Sequence, residues 1–204
     1  MNVFREARRK FMPTWHDIWP EIVERAKREP TLHLGSGESP LEGAMTVDLN
    51  PSVRPTHVWN LNQTPWPFDD DTFDLVAALS IIEHLDDFLA VMGEIHRVCR
   101  HDAQVNILVP HFSSAAAFVD PTHKRYFSAR SCDYFVRGTE IEREYGFYVP
   151  YRFKMERCYV DLAPGFRMIP GALWLARAHT ALWENSFCYV LRGGGVFWRL
   201  RVEK

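Results

Sequence analysis

Histidine and acidic side chains stand where two apolar segments of this chain end. Glu83 and His84 follow one such segment, and His111 follows another. Asp120 and His123 come slightly later, in the stretch Asp-Pro-Thr-His. The unperturbed pKa of histidine, about 6.5, suits proton transfer near neutral pH. These residues predict a catalytic site in which His123, positioned by the turn at Asp120, takes part in proton transfer, with His111 as the rival base.

Other roles are open for the same residues. An Asp-Pro pair initiates turns, so Asp120 and His123 could simply build one. Glu83 and His84 could shape the floor of a pocket. His111, Asp120 and His123 could also be three ligands of a divalent metal, but their spacing matches no specific metal motif, so no metal site is predicted.

A glycine pair follows the first apolar segment, in the stretch Leu-His-Leu-Gly35-Ser36-Gly37. Glycine lets the backbone turn sharply and approach a ligand, because no Cβ stands in the way. In an open α/β sheet this position lies at the carboxyl ends of the strands, where such sheets bind ligands. Asp48 ends the next apolar segment, and a carboxylate there can accept both ribose hydroxyls of an adenosine. A dinucleotide fingerprint would need a third glycine in register, so a nicotinamide dehydrogenase is disfavoured.

These residues need a sheet that brings several strand ends together. The apolar patterning predicts strands at 31–34, 45–49, 57–61, 73–79 and 105–109. A helix is predicted from Asp86 to Cys99, because its apolar residues fall on one face and its aspartates suit the N-terminus. Strands with such intervening connections are typical of an α/β sheet of parallel strands.

The two ends of the chain have a different pattern. Residues 1–29 are predicted to be helical in pieces, broken by Pro13 and Pro20. Residues 152–162 mix charged and apolar side chains, and a slip in the apolar phase predicts a bulge near Arg157. Residues 171–184 are predicted to be helical. The strict alternation over 196–202 predicts an antiparallel strand at or near a sheet edge.

Composition narrows the class of protein. The chain has 204 residues, of which 47% are hydrophobic and 25% charged, with a formal net charge of −2. These values are typical of one soluble globular domain, and the charge provides no overall attraction to nucleic acid or to an anionic membrane. The cysteines are scattered and the N-terminus lacks the apolar core of a signal peptide, so we expect free thiols and a cytoplasmic location.

The order of the motifs resembles that of a known family. LHLGSG, VDL, WPFDDDTFDLV, IIEHL, EIHRVCR and VNILVP follow one another as in the class I S-adenosylmethionine-dependent methyltransferases. The resemblance covers roughly Thr31 to Pro110. It implies an α/β, Rossmann-like sheet that is mostly parallel, with an antiparallel last strand and helices on both faces. It also implies S-adenosylmethionine as the cofactor.

The resemblance assigns cofactor contacts to residues at the strand ends. Gly35, Ser36 and Gly37 would wrap the methionine end, Asp48 would hold the ribose, and Leu49 would lie against the adenine. The further contacts that it implies are Asn60, Leu61 and Asn62 near the adenine, Ser80 and Ile81 on the sulfonium side, and His84. The chain departs from the family in the acid that usually precedes the glycine loop, because His33 and Leu34 stand there.

The function implied is transfer of a methyl group to an oxygen or nitrogen of a small or carrier-borne acceptor. The donor brings its own leaving group, so the fold does not specify the nucleophile. A cofactor-binding, non-catalytic partner subunit and an RNA or protein methyltransferase are the alternatives. We expect one domain over 1–204, with a helical extension (1–30), a cofactor half (31–110) and an acceptor-side half (111–204). No membrane partner is expected, nucleic acid is disfavoured, and a homodimer is possible.

Overall fold

A computed structural model describes the backbone of residues 15–204 and the side chains of residues 18–204. The seven strands are β1 (Thr31–Leu34), β2 (Met45–Asp48), β3 (His57–Val58), β4 (Phe73–Leu79), β5 (Cys99–Pro110), β6 (Arg152–Leu162) and β7 (Gly193–Glu203). They form one sheet in the order β3-β2-β1-β4-β5-β7-β6. β1 to β5 pair in parallel, whereas β7 is antiparallel to both of its neighbours. The predicted fold class is confirmed.

Helices cover both faces of this sheet. They are α1 (Trp15–Ala26), α2 (Phe88–Val98), α3 (Ala116–Val119), α4 (Glu140–Tyr145), α5 (Ala172–Ala178) and α6 (Thr180–Ser186). Alternate residues of β4 point to opposite faces, and each face has its own apolar cluster. Leu75 and Ala77 pack with Ile22 of α1, whereas Val76 and Ala78 belong to the cluster that includes α2.

Helix α2 shows why the sequence predicted its position well. Asp87 is its N-cap, and the Asp87 side chain accepts a hydrogen bond of 3.0 Å from the Ala90 backbone N–H. This satisfies one of the donors that every helix N-terminus leaves free. The face formed by Val91, Met92, Ile95 and Val98 is buried, and its burial is the main source of the helix's stability.

Several boundaries differ from the predictions. The predicted break at Pro20 is wrong, because α1 continues through it, and its buried face at Ile18 and Ile22 compensates for the lost hydrogen bond. Pro13 lies outside the described residues.

The predicted helix over 171–184 is interrupted at His179, whose backbone (φ −131°, ψ 50°) is not helical. The bulge near Arg157 is confirmed by a register shift between Met155 and Arg157.

Two strands have other lengths than predicted. β5 begins at Cys99, well before the predicted start, since its first residues are polar and give no apolar signal. β3 ends at Val58 because a turn begins directly after it, in which the Asn60 side chain accepts a hydrogen bond from the Asn62 N–H.

All four cysteines are free thiols. Within residues 15–204, no helix has the length and apolar character needed to cross a membrane.

Candidate cofactor and acceptor site

The sheet has one point at which the strand order reverses. From β1 the chain proceeds outward to β2 and β3, whereas from β4 it proceeds in the other direction to β5. In open α/β sheets, ligands bind in the crevice outside the carboxyl ends of the strands at such a point. The loops after β1 and β4 meet here, and a Cβ placed on Gly35 would lie 2.6 Å from Cγ1 of Ile81. Only glycine permits this contact, and Gly35 also has a positive φ of +61°.

The loop after β1 has the properties of a cradle for a polar ligand. The Gly35 and Ser36 N–H groups both donate to the Val47 carbonyl, at 2.8 and 3.2 Å, which ties the loop to β2. Gly37 has φ +50°, and a Cβ placed on it would meet no described atom within 4 Å. The hydroxyl of Ser36 is buried and has no hydrogen-bond partner among the described residues. An open glycine surface beside an unsatisfied hydroxyl fits the carboxylate and amine of a bound amino acid group.

Asp48 is oriented by the backbone on both sides. Its Oδ2 accepts a hydrogen bond of 2.8 Å from the Gly37 N–H, and its Oδ1 accepts one of 2.9 Å from the Asn50 N–H. Each carboxylate oxygen keeps a further acceptor position. The adjacent Leu49 is 66% exposed. A fixed carboxylate beside an uncovered apolar side chain fits the ribose and the base of an adenosine.

The turn after β3 is held by its own hydrogen bonds. Asn60 Oδ1 accepts from the Asn62 N–H at 3.0 Å, and Asn62 Oδ1 accepts from the Asp86 N–H at 2.8 Å. Leu61 is buried, and its carbonyl accepts a hydrogen bond of 3.1 Å from Trp66 Nε1. The two amide oxygens therefore position the turn and the start of α2. The adenine contact of this turn stays a prediction.

Ser80 marks the end of β4 and the entrance to a cavity. Its φ is +51°, and its N–H donates to the Leu108 carbonyl at 2.8 Å. A cavity of about 270 Å³ extends from Ser80 along the ends of β5, β6 and β7, past Pro110, Asp161 and Gly194. Because Ile81 contacts Gly35, this cavity begins next to the glycine cradle. Its place suits an acceptor that must approach the sulfonium side of the cofactor.

Three titratable side chains converge beside the same loop. Glu83, His84 and His123 each offer a nitrogen or oxygen atom, and these atoms lie within 4.8 Å of one another. The imidazole rings of His84 and His123 are 4.6 Å apart, edge to face. Glu83 is only 1% exposed, and neither of its carboxylate oxygens has a hydrogen-bond partner in the described part of the chain. Burial raises the pKa of Glu83 to about 7, and the effects that oppose this rise, His123 among them, are smaller.

Hydrogen bonds fix which ring nitrogen carries the lone pair in both histidines. His123 Nδ1 lies 2.9 Å from the Ala117 carbonyl, which can only accept, so Nδ1 is protonated and Nε2 has the lone pair. The Thr122 hydroxyl donates to Asp120 at 2.7 Å and therefore accepts from His84 Nδ1 at 2.9 Å. His84 thus also has its lone pair on Nε2. Burial, with a smaller contribution from His123, lowers the pKa of His84 and keeps its ring neutral.

Asp120 acts on this cluster through Thr122. Hydrogen bonds from the Thr122 hydroxyl and N–H hold the pKa of Asp120 below its ordinary value, so it is a carboxylate at neutral pH. Its side chain contacts Thr122, and through Thr122 it orients His84, whereas the sequence pattern indicated that it would position His123. The geometry makes Asp120 a positioning residue.

His111 lies apart from the cluster and is completely buried. Its Nδ1 is 2.8 Å from the Ser113 hydroxyl, and its Nε2 is 3.0 Å from Glu184 Oε1. Glu184 Oε1 also accepts from the Ala129 N–H at 2.6 Å. Both ring nitrogens are thus engaged in joining the end of β5 to α6. This geometry favours a structural role for His111 over that of a base.

His33 stands just before the glycine loop, where the resemblance would place an acid. It is buried in β1, and its Nδ1 accepts a hydrogen bond of 3.2 Å from the Leu41 N–H. Burial lowers the pKa of His33 to about 4. His33 is therefore neutral at physiological pH and stabilises the short connection between β1 and β2.

Comparisons with known proteins agree with the fold and with the order of the motifs. The family model described as a methyltransferase domain matches residues 14–107. No curated protein matches the sequence. A solved structure of an S-adenosylmethionine-dependent methyltransferase from Archaeoglobus fulgidus superposes with a TM-score of 0.57 at 14% identity, over 98% of this chain and 100% of that one.

Two further solved structures share the fold. A putative sarcosine dimethylglycine methyltransferase from Galdieria sulphuraria has a TM-score of 0.55 at 14% identity, over 92% of this chain and 82% of that one. A chain of the complex between the Haloferax volcanii Trm112 methyltransferase activator and a putative methyltransferase has a TM-score of 0.52 at 14% identity, over 98% of this chain and 93% of that one. At these identities the likeness concerns the fold. The family model, which covers residues 14–107, agrees with the resemblance of the motifs to the class I S-adenosylmethionine-dependent methyltransferases.

Proposed function

We propose that this enzyme transfers the methyl group to an oxygen or nitrogen atom of a small or carrier-borne acceptor. The observation that carries the proposal is the contact between Gly35 and Ile81. It places the glycine cradle beside the chain segment that presents Glu83 and His84, which lie within 4.8 Å of His123. A cofactor-holding loop and a group of proton-accepting side chains thus share one crevice.

The residues of the cradle would hold the cofactor in the orientation that the crevice allows. Ser36 and the backbone of Gly37 would contact the methionine end, Asp48 the ribose, and Leu49 the adenine. When bound, S-adenosylmethionine supplies a methyl group attached to a positively charged sulfur. The side chain of Ile81 and the hydroxyl of Ser80 would lie on the side that faces the acceptor, at the entrance of the cavity.

The cluster would activate the acceptor. A protonated amine must lose a proton before its nitrogen can bond to the methyl carbon, and an alcohol loses its proton as its oxygen forms this bond. In both cases the carbon–sulfur bond breaks and its electron pair stays on sulfur. The free lone pairs on His84 and His123 provide the means of withdrawing this proton. Such assistance is worth about 10²- to 10⁴-fold in rate.

The size of the cavity supports a small acceptor or the reacting end of a carrier. About 270 Å³ is close to the lower limit of the pockets that bind small molecules. A second cavity of about 480 Å³ lies beside α3, among Phe112, Phe118, Tyr126 and Arg192. Its aromatic walls and its guanidinium support binding of an apolar or anionic extension of the acceptor.

The proposal is tested by methyl transfer from radiolabelled S-adenosylmethionine with the isolated chain and a library of small alcohols, phenols and amines. Labelled product is expected, and a variant of the cluster such as His123→Ala should lose most of the turnover while still binding S-adenosylhomocysteine. A matched control is His101→Ala, which removes an exposed imidazole outside the cluster. Labelling of RNA or protein alone, or no turnover without a partner chain, would contradict the proposal.

A further inference from the structure

We propose that Glu83, His84 and His123 form a binding site for one divalent transition-metal cation, such as Zn²⁺ or Mn²⁺, which holds an oxygen atom of the acceptor. The first part of this inference concerns the chain alone, whereas the second part rests on the proposed function. The residues belong to two segments, one after β4 and one after α3, and the fold brings them together.

The spacing of the three side chains is close to that of a metal site. One candidate ligand atom from each residue lies within 4.8 Å of the other two. Two ligands at about 2.0–2.2 Å from a tetrahedral Zn²⁺ are roughly 3.4 Å apart. Ligation would therefore need the most distant pair of these atoms to approach by no more than about 1.4 Å.

The carboxylate of Glu83 is an independent indication of a positively charged ligand. It is 1% exposed, and neither oxygen has a hydrogen-bond partner within residues 18–204. A buried, unpaired carboxylate is costly unless a proton or a cation compensates its charge. Two of the nearby charged groups do not provide this compensation, because Asp120 is negative and paired with Thr122, and Lys124 forms an ion pair of 2.5 Å with Asp86.

In both imidazoles the hydrogen bond of Nδ1 leaves Nε2 free to bind a metal. His123 donates its Nδ1–H to the Ala117 carbonyl, and His84 donates its Nδ1–H to Thr122, which donates in turn to Asp120. A metal-binding histidine characteristically donates a hydrogen bond from the N–H of its second ring nitrogen to a carbonyl or a carboxylate. This bond fixes the tautomer and the orientation of the ring. In both residues Nε2 is left with its lone pair for the cation.

The ligand set indicates the class of cation and leaves room for a substrate. Two imidazoles and one carboxylate suit Zn²⁺, Mn²⁺ or Fe²⁺, whereas Mg²⁺ and Ca²⁺ prefer all-oxygen ligands. Three protein ligands leave at least one coordination position open. A hydroxyl bound there would have a lower pKa, and its proton would pass to water. Its oxygen would then bond to the methyl carbon, while the electron pair of the breaking carbon–sulfur bond stays on sulfur. In this arrangement His123 is a ligand and does not take the proton.

The test uses the full chain without a histidine tag, treated with chelator and then titrated with ZnCl₂ or MnCl₂ by calorimetry. Absorption spectra with Co²⁺ report the geometry of ligation. We expect one cation per chain, with affinity reduced about 100-fold or more in Glu83→Gln and His123→Ala. His101→Ala, which changes an exposed imidazole, should bind the cation as the wild type does.

Binding of S-adenosylhomocysteine, measured on the same samples, separates this inference from the proposed function. If the wild type binds S-adenosylhomocysteine but no cation, or if Glu83→Gln and wild type bind the cation equally, the metal site is overturned and the cofactor site stands. Circular dichroism controls for folding, and Thr122→Val, an exposed change outside the ligand set, should weaken cation binding without removing a ligand.

Discussion

The Nδ1 atom of His84 and the Oγ1 atom of Thr122 lie 2.9 Å apart, although 38 residues separate them in the sequence. The hydroxyl of Thr122 donates its hydrogen to Asp120 at 2.7 Å, so it must accept the hydrogen of His84. The segment after β5 thus determines the protonation of a ring that follows β4. This bond decides which nitrogen of His84 is available for a cation or a proton.

Thr122→Val should weaken the cation site without removing a ligand. Valine preserves the shape of the side chain but cannot accept the hydrogen bond, so His84 would lose its fixed orientation. Loss of such an outer hydrogen bond typically lowers metal affinity about 10- to 100-fold. Calorimetric titration with Zn²⁺ measures the effect, and Thr122→Ser, which keeps the hydroxyl, is the matched control. Equal affinities in the valine variant and the wild type would show that this bond does not orient the ligand.

Glu83→Gln should change the pH dependence of stability in the chelator-treated protein. The folded-state pKa of Glu83 is raised from 4.5 to about 7 by burial. Because the folded state binds the proton of the Glu83 carboxyl more tightly than the unfolded state does, the wild type loses stability as the pH rises from about 4.5 to about 7. The loss amounts to about 2–4 kcal/mol by pH 8, and glutamine removes it.

Urea unfolding of both proteins at pH 4 and pH 8 tests this prediction. Between pH 4 and pH 8, the unfolding free energy of Glu83→Gln should rise by about 2–4 kcal/mol relative to that of the wild type. The opposite contribution of His33, whose neutral folded form is destabilised by acid, is present in both proteins and cancels in the difference. A difference that does not depend on pH would mean that Glu83 is not the buried titrating group.

Most of the fold could be predicted from the sequence because local patterns decide it. β1 and β4 were predicted with their observed bounds, since both are buried apolar segments between clear turns. Predictions were wrong where tertiary contacts override local preference. Packing of its buried face keeps α1 intact at Pro20, and β5 acquires a polar start that no apolar pattern marks.

Gly35→Ala should affect mainly folding, whereas Gly37→Ala should affect mainly cofactor binding. The new Cβ of Gly35→Ala would lie 2.6 Å from Ile81, so this variant should be strongly destabilised. In Gly37→Ala the Cβ enters open space, and only the strain of a positive φ remains, about 1–2 kcal/mol. That Cβ would occupy the surface of the cradle, and affinity for S-adenosylhomocysteine should fall tenfold or more, equivalent to about 1.4 kcal/mol.

Thermal unfolding and calorimetry on the same samples distinguish the two glycines. A Gly37→Ala protein that binds S-adenosylhomocysteine with wild-type affinity would exclude this surface from the cofactor site. Gly138→Ala is a matched control, because Gly138 also has a positive φ, of +85°, and open space around its Cα. It should show the strain without the loss of affinity.

His111→Ala should destabilise the fold and leave the chemistry largely intact. The change removes hydrogen bonds to Ser113 and Glu184 in a completely buried position. We expect a loss of about 2–4 kcal/mol in unfolding free energy. Turnover per folded molecule, measured well below the unfolding temperature, should fall less than tenfold. A loss of 10² to 10⁴ in a folded protein would instead identify His111 as a base.

The candidate site was predictable in its parts but not in its grouping. Glycine, aspartate and histidine at strand ends, together with the resemblance of the motifs to the family, predicted the cradle and the acceptor side. The sequence could not show that His123 joins Glu83 and His84 while His111 turns away to Glu184, since this depends on how the segments after β5 pack. The Glu-His pair directly after β4 was the only sequence signal for Glu83.

The central claim is that the crevice between β1 and β4 binds the methyl donor through Asp48, and calorimetry with S-adenosylhomocysteine tests it directly. The wild type should bind one molecule per chain. Asp48→Ala should bind it about 10- to 100-fold more weakly, a loss of about 1.5–3 kcal/mol, because buried ribose hydroxyls would lack their charged acceptor. Asp69→Ala, which changes an exposed aspartate far from the cradle in sequence, should bind as the wild type does. Unchanged affinity in a folded Asp48→Ala protein would contradict the assignment of this crevice.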